Sequence, residues 1–204
     1  MQAVGLPEST CARLRKKLMI DPQYWSIERA AGFVLVLGNV ALLPGLMMFW
    51  IRGGHRGGAP RSHAHFVWER SFIMAAVVLT AIGLVLLEGH LQNTDGRILA
   101  RTGATAYLFA GVFVVAAEAL SLSQGYEKLY ALIVIYVVLA FLAQAVLGGS
   151  LLQSGSLAAW IGWLAILWNI AWLVALPVTS PRDIYFPVLH HVMPLVIGIA
   201  LLLK

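Results

Sequence analysis

A few ionisable or amide side chains interrupt otherwise apolar stretches of this chain. They are Glu118 in "FVVAAEALSLS", Gln144 in "LAFLAQAVLGG", Asn169 in "LWNIAWLV", and the adjacent His190 and His191 in "VLHHVMP". A carboxylate and an imidazole are the pair that general acid–base chemistry or a proton relay needs. A carboxamide can orient either one. Within lipid such groups are expensive, so each is a functional hypothesis by default. At about 1.5 Å per residue, Glu118, Asn169 and His190 all fall roughly 8–12 Å below the outer ends of their apolar stretches. They therefore form one candidate polar site, provided their helices are neighbours.

Each residue also has a plainer role. Glu118 lies near enough to the end of its stretch to reach the interface. Asn169 fits an interhelical hydrogen bond, and His190 a structural bond to a carboxylate or carbonyl. Gln144 belongs to the inner half. With Ala140 and Gly148 four residues to either side, it reads as helix-packing glue, as does Asn39. Trp168 and Trp172 lie deeper than the usual aromatic belt and offer a wall for a flat or isoprenoid ligand.

Several chemistries are excluded by residue type and depth. Cys11 is the one cysteine, which rules out intramolecular disulfides and thiolate clusters. A two-helix haem site fails because His90 and His190 belong to opposite halves. A zinc hydrolase fails because adjacent histidines on a helix point about 100° apart. A serine hydrolase fails because Ser150 lies opposite to His190. His55, His63 and His65 stand in the glycine-rich "RGGHRGGAPRSHAH", which reads as a solvated linker rather than a metal site. No catalytic residue, metal or cofactor is assigned.

The elements that must position these groups follow from composition. The 204 residues are 60% hydrophobic and 11% charged, with a mean hydropathy of +0.84. Soluble domains carry about 25% charged residues. Continuous apolar runs of about 20 residues read as membrane helices, not as alternating barrel strands. The expected fold is all-α: a polytopic bundle of six transmembrane helices and one domain. The spans are placed at about 30–51, 66–87, 103–123, 129–152, 156–177 and 184–203, with a short interfacial helix over 8–21. The first run starts too late and is too long for a cleavable signal peptide. Pro44 predicts a kink in the first span. Glu69 and Arg70 are expected at headgroup depth.

In the last span, Ser180, Pro181 and Asp183 resemble a capping start, and Pro187 a kink. Pro194 cannot donate to the carbonyl of His190. Asp183, Pro187, His190, Pro194 and Gly198 share a helical face expected to look into the bundle. His191 lies about 100° away from it.

Eight of the 14 Lys and Arg residues fall on the side of the termini and six on the other, a slight preference for cytoplasmic termini. Arg13, Arg15, Lys16 and Lys17 are expected to meet anionic lipid headgroups.

At "ERAAGFVLVLG" and "LLQSGSLAAWIGW" the chain resembles uncharacterised bacterial six-span integral membrane proteins of the domain-of-unknown-function kind. An Arg-x-Ala-Gly opening to the first span is matched by Arg29, Ala31 and Gly32. A Leu-x-x-Ser-Gly-x-Leu-Pro-x-x-x-Gly turn is matched by Leu151, Ser154, Gly155, Leu157 and Gly162, with Ala158 in place of proline. The resemblance implies a six-helix fold and no activity.

The expectation is a small multi-pass protein of a bacterial-type plasma membrane. It binds a lipid or hydrophobic small molecule, or serves as a subunit of a membrane complex, with no nucleic-acid partner. The alternative is a membrane enzyme or proton-coupled carrier built on Glu118, Asn169 and His190.

Overall fold

A backbone in an apolar medium must satisfy its own polar groups, so long apolar runs fold as helices. The computed structural model describes residues 26–51, 62–124, 129–179 and 186–204. The helices are α1 (Ile27–Ile51), α2 (His63–Leu91), α3 (Arg97–Gln124), α4 (Tyr130–Ser154) and α5 (Ala159–Thr179). A 3-10 helix (Phe186–His191) then leads into α6 (Val192–Leu202). No strand occurs among the described residues. Helices α1 to α5 are each long and apolar enough to cross a membrane, and the protein is a membrane-embedded helical bundle.

The sixth segment differs from the continuous α-helix expected over 184–203. Its α-helical part has 11 residues, a rise of about 16 Å, half of the roughly 30 Å hydrocarbon core. Pro194 supplies the reason. It removes the donor to the His190 carbonyl, and it stands in the first turn of α6, where no intrahelical donor is needed. The chain before it takes the tighter 3-10 form. Pro44, by contrast, lies inside α1, which continues through it as one helix. The expected interfacial helix 8–21 with Arg13, Arg15, Lys16 and Lys17, the loop residue His55, and the cap at Ser180, Pro181 and Asp183 lie outside the described residues.

Each helix packs mainly on its sequence neighbour, and α6 returns to pack along α1. Two contacts need glycine. A Cβ on Gly32 would lie 2.8 Å from the carbonyl oxygen of Gly198, so α1 and α6 touch backbone to backbone. A Cβ on Gly148 would lie 2.8 Å from the carbonyl oxygen of Gly162, where α4 meets α5. This is the close approach that the Ala140–Gln144–Gly148 stripe predicts.

Local caps set the ends. Ser62 accepts from the His65 amide at 3.1 Å to open α2, and Gly155, at φ 59°, closes α4 in the left-handed conformation. At that same end of the bundle, Lys204 Nζ meets Glu28 at 3.0 Å and donates to the Ser156 carbonyl at 3.0 Å. The buried Ser150 hydroxyl donates to the Gly96 carbonyl at 2.9 Å, tying α4 to the α2–α3 turn.

Candidate functional site

Two polar layers lie inside the bundle. The first is built on the 3-10 helix. His190 Nε2 lies 2.7 Å from the Tyr136 hydroxyl of α4 and 3.0 Å from the Tyr107 hydroxyl of α3. Tyr107 also bonds to Tyr136 and to Thr80 of α2. Thr80 donates to the Ala76 carbonyl at 2.8 Å, and His191 Nδ1 lies 3.4 Å from its hydroxyl. The imidazoles of His190 and His191 lie with centroids 4.2 Å apart and planes tilted by 41°, and Phe141 meets His190 edge-on. All of these polar groups are buried.

Thr80 gives its proton to Ala76, so its oxygen accepts from His191 Nδ1. With His190 neutral and Nε2 unprotonated, Tyr136, the nearer hydroxyl, donates to it. Polar groups so matched are stable in a low-dielectric interior. The arrangement binds three helices to the C-terminal segment. His191 shares the layer with His190, against the helical-face expectation, because Thr80 of α2 stands on its side of the segment and meets its Nδ1.

The second layer is an ion cluster. Arg70 donates to Glu118 Oε2 at 2.9 Å and to Glu69 Oε1 at 2.9 Å. Its guanidinium stands 4.8 Å from the centre of the Phe66 ring. Arg70 is 1% exposed and Glu69 0%, so they turn into the bundle rather than out to headgroups as expected. The reason is Glu118: its carboxylate is also buried, and a guanidinium in fork geometry is the partner that a desolvated carboxylate needs.

The layers are separate. Ten residues divide Arg70 from Thr80, about 15 Å of rise, and eleven divide Tyr107 from Glu118, about 16 Å. Glu118 and His190 therefore have different partners at different depths. Asn169 joins neither layer, because α3 and α5 each pack on α4 rather than mainly on each other. Its Nδ2 donates to the Ala165 carbonyl of its own helix at 2.7 Å. The Gly148–Ala165 contact sets an antiparallel register in which Gln144 and Asn169 occupy the same level. Both Gln144 amide atoms and Asn169 Oδ1 lack a hydrogen-bond partner among the described residues.

Trp168 donates to the Leu189 carbonyl at 2.9 Å and meets Trp172 edge-on at 5.9 Å. This aromatic pair holds the C-terminal segment in place. Asn39 bonds back to the Leu35 carbonyl at 2.9 Å. His63 and His65 form the first turn of α2, so they are not an extended chelating pair. His65 Nε2 donates to the Met48 carbonyl at 3.2 Å. Among the described residues no three His, Cys, Asp or Glu side chains gather as a metal site.

Thr80, Tyr107 and Tyr136 carry no mark in the sequence that singles them out, and Arg70 reads there as a headgroup residue. Hydroxyl residues are ordinary within apolar helices, and an arginine near a helix end suits the interface. Their one legible signal is register: along antiparallel α2 and α3, Arg70 pairs in level with Glu118 and Thr80 with Tyr107.

The bundle also has an open surface feature. An outward-facing apolar groove of about 480 Å³ runs between α2 and α3, walled by Val78, Ile82, Leu108, Val112 and Val115, with Gly111 and Ala119 leaving room between them. Leu108 also lines a hollow formed with Val85, Glu88, Gln92 and Arg101. Glu88, Gln92 and Arg101 in turn line a terminal hollow with Arg97. The three follow one another along α2 and α3, each sharing lining residues with the next.

No family model, no curated protein and no solved structure matches this chain. Function must be argued from the site itself.

Proposed function

We propose that this protein binds a lipid, holding one long apolar chain in the groove between α2 and α3. It does so in a bacterial-type plasma membrane, as a multi-pass protein with both termini cytoplasmic. The groove is the observation that supports this reading. From Leu108 to Ala119 it rises about 16 Å, roughly one leaflet of a 30 Å core. Its walls are apolar and it faces outward, so a chain enters from the bilayer without crossing the protein. The interior layers favour the same reading, since their hydrogen bonds and ion pairs hold the helices that form the groove.

The experiment is gentle purification followed by lipid extraction and mass spectrometry. A Cβ on Gly111 would meet only Val77 Cγ1, at 3.6 Å, an ordinary contact, so Gly111→Leu starts a side chain at the groove wall with no clash at Cβ. Wild type is expected to carry a stoichiometric lipid that Gly111→Leu lacks, while the two proteins melt at the same temperature once delipidated. Equal lipid content in the two would overturn the reading.

One observation favours the rival class, a proton-coupled carrier: Glu118 and Arg70 are ionisable groups buried in membrane helices. That reading expects pH-dye-detected proton flux in proteoliposomes that Glu118→Gln abolishes. Equal flux in wild type and variant counts against it.

A further inference from the structure

The groove leads to a cationic end. Arg97 and Arg101 stand one turn apart at the start of α3, on one helical face, and both are exposed. They line the same hollow with Glu88 and Gln92. Among the described residues neither arginine forms an ion pair, Glu88 included. Nearby, Glu28 is engaged by Lys204, and His90 Nε2 lies 4.0 Å from Glu28. The hollow thus presents two guanidinium groups against one carboxylate, a net charge of +1. It lies where α3 leaves the hydrocarbon, and Leu108, about 10 Å along α3 from Arg101, lines both the intervening hollow and the near end of the groove.

We infer that Arg97 and Arg101 form a headgroup subsite that selects a lipid with a net negative phosphate headgroup. The inference rests on the groove reading and names its ligand more closely. Guanidinium groups present paired donors that match two phosphate oxygens, and a site of net positive charge is best matched by a headgroup of net charge −1. Gln92 supplies a neutral donor beside them. Glu88 accepts from a hydroxyl-bearing headgroup such as glycerol. The same carboxylate would attract an ammonium headgroup, so net charge is the property to test.

The probes are phosphatidylglycerol, phosphatidylethanolamine and phosphatidylcholine with identical acyl chains, added to the delipidated full chain and followed by native mass spectrometry. Phosphatidylglycerol is expected to bind about tenfold more tightly than the other two, less so at high salt. Arg97→Gln with Arg101→Gln should remove that preference and leave weak binding of all three. Arg97→Lys with Arg101→Lys should keep most of it, which separates charge from folding. Equal affinity for the three lipids, or a preference that survives the glutamine pair, would overturn the headgroup inference while the groove reading stands. Binding of none of the three, or full binding to Gly111→Leu, would overturn the groove reading and this inference with it.

Discussion

The Tyr136 hydroxyl and His190 Nε2 are 2.7 Å apart, a buried bond that joins α4 to a C-terminal segment too short to hold itself as a full-length span. Tyr107 approaches the same nitrogen at 3.0 Å from α3, so the imidazole is the junction of three elements. Helix association in a membrane has little hydrophobic drive, and such bonds carry part of it.

Tyr136→Phe removes the nearer hydroxyl on His190 Nε2 and leaves Tyr107, at 3.0 Å, as the other. The expected loss is about 0.5–1.5 kcal/mol, read as a lower melting temperature in a fixed detergent. The C-terminal segment should also become more open to protease. An unchanged midpoint would show that the bond contributes nothing.

Arg70→Leu leaves the Glu118 and Glu69 carboxylates facing an apolar side chain. Breaking a buried pair from one side costs about 3–5 kcal/mol. Adding Glu118→Leu should recover part of that loss, since the second substitution removes one stranded charge. A double-mutant cycle measures the coupling, and strict additivity would contradict the contact.

Gly162→Ala and Gly89→Ala should move stability in opposite directions. A Cβ on Gly162 would lie 2.9 Å from the Gly148 carbonyl oxygen and 2.7 Å from Leu152 Cγ, whereas one on Gly89 meets nothing within 4 Å. Overpacking costs about 1–3 kcal/mol. The Gly89 change gains up to about 1 kcal/mol of helix propensity. Thermal melts of the two variants against wild type decide it.

Gln144→Leu should stabilise the protein. The side chain is 2% exposed and neither amide atom has a described partner. Replacing it with an apolar group of similar size removes a desolvation cost of about 1–3 kcal/mol. A melting temperature below wild type would mean that the amide is satisfied by water or by another molecule.

Much of this was legible in the residues. Apolar runs separated by short polar turns predict an all-helical membrane bundle, and the spans near 30–51, 66–87, 103–123, 129–152 and 156–177 lie within six residues of helices α1 to α5 at each end. The small–polar–small stripe at Gln144 marks a close helix contact. Pro194 marks where helical pairing at His190 must fail. These are local properties: hydropathy, backbone donors and side-chain size act within a few residues of one another.

The candidate site was less legible. Depth counting along single helices placed Glu118, Asn169 and His190 at one level. The structure gives Glu118 to Arg70, His190 to two tyrosines, and Asn169 to its own helix. Depth is one coordinate, and a contact also needs the helix neighbour and the facing angle. Those depend on which backbones approach closely, as at Gly32–Gly198 and Gly148–Gly162, and on which helix stands opposite, as Thr80 of α2 does for His191. The sequence by itself determined the medium and the helices. Tertiary packing alone decided which polar groups meet, because each buried donor takes the nearest acceptor that the assembled helices present.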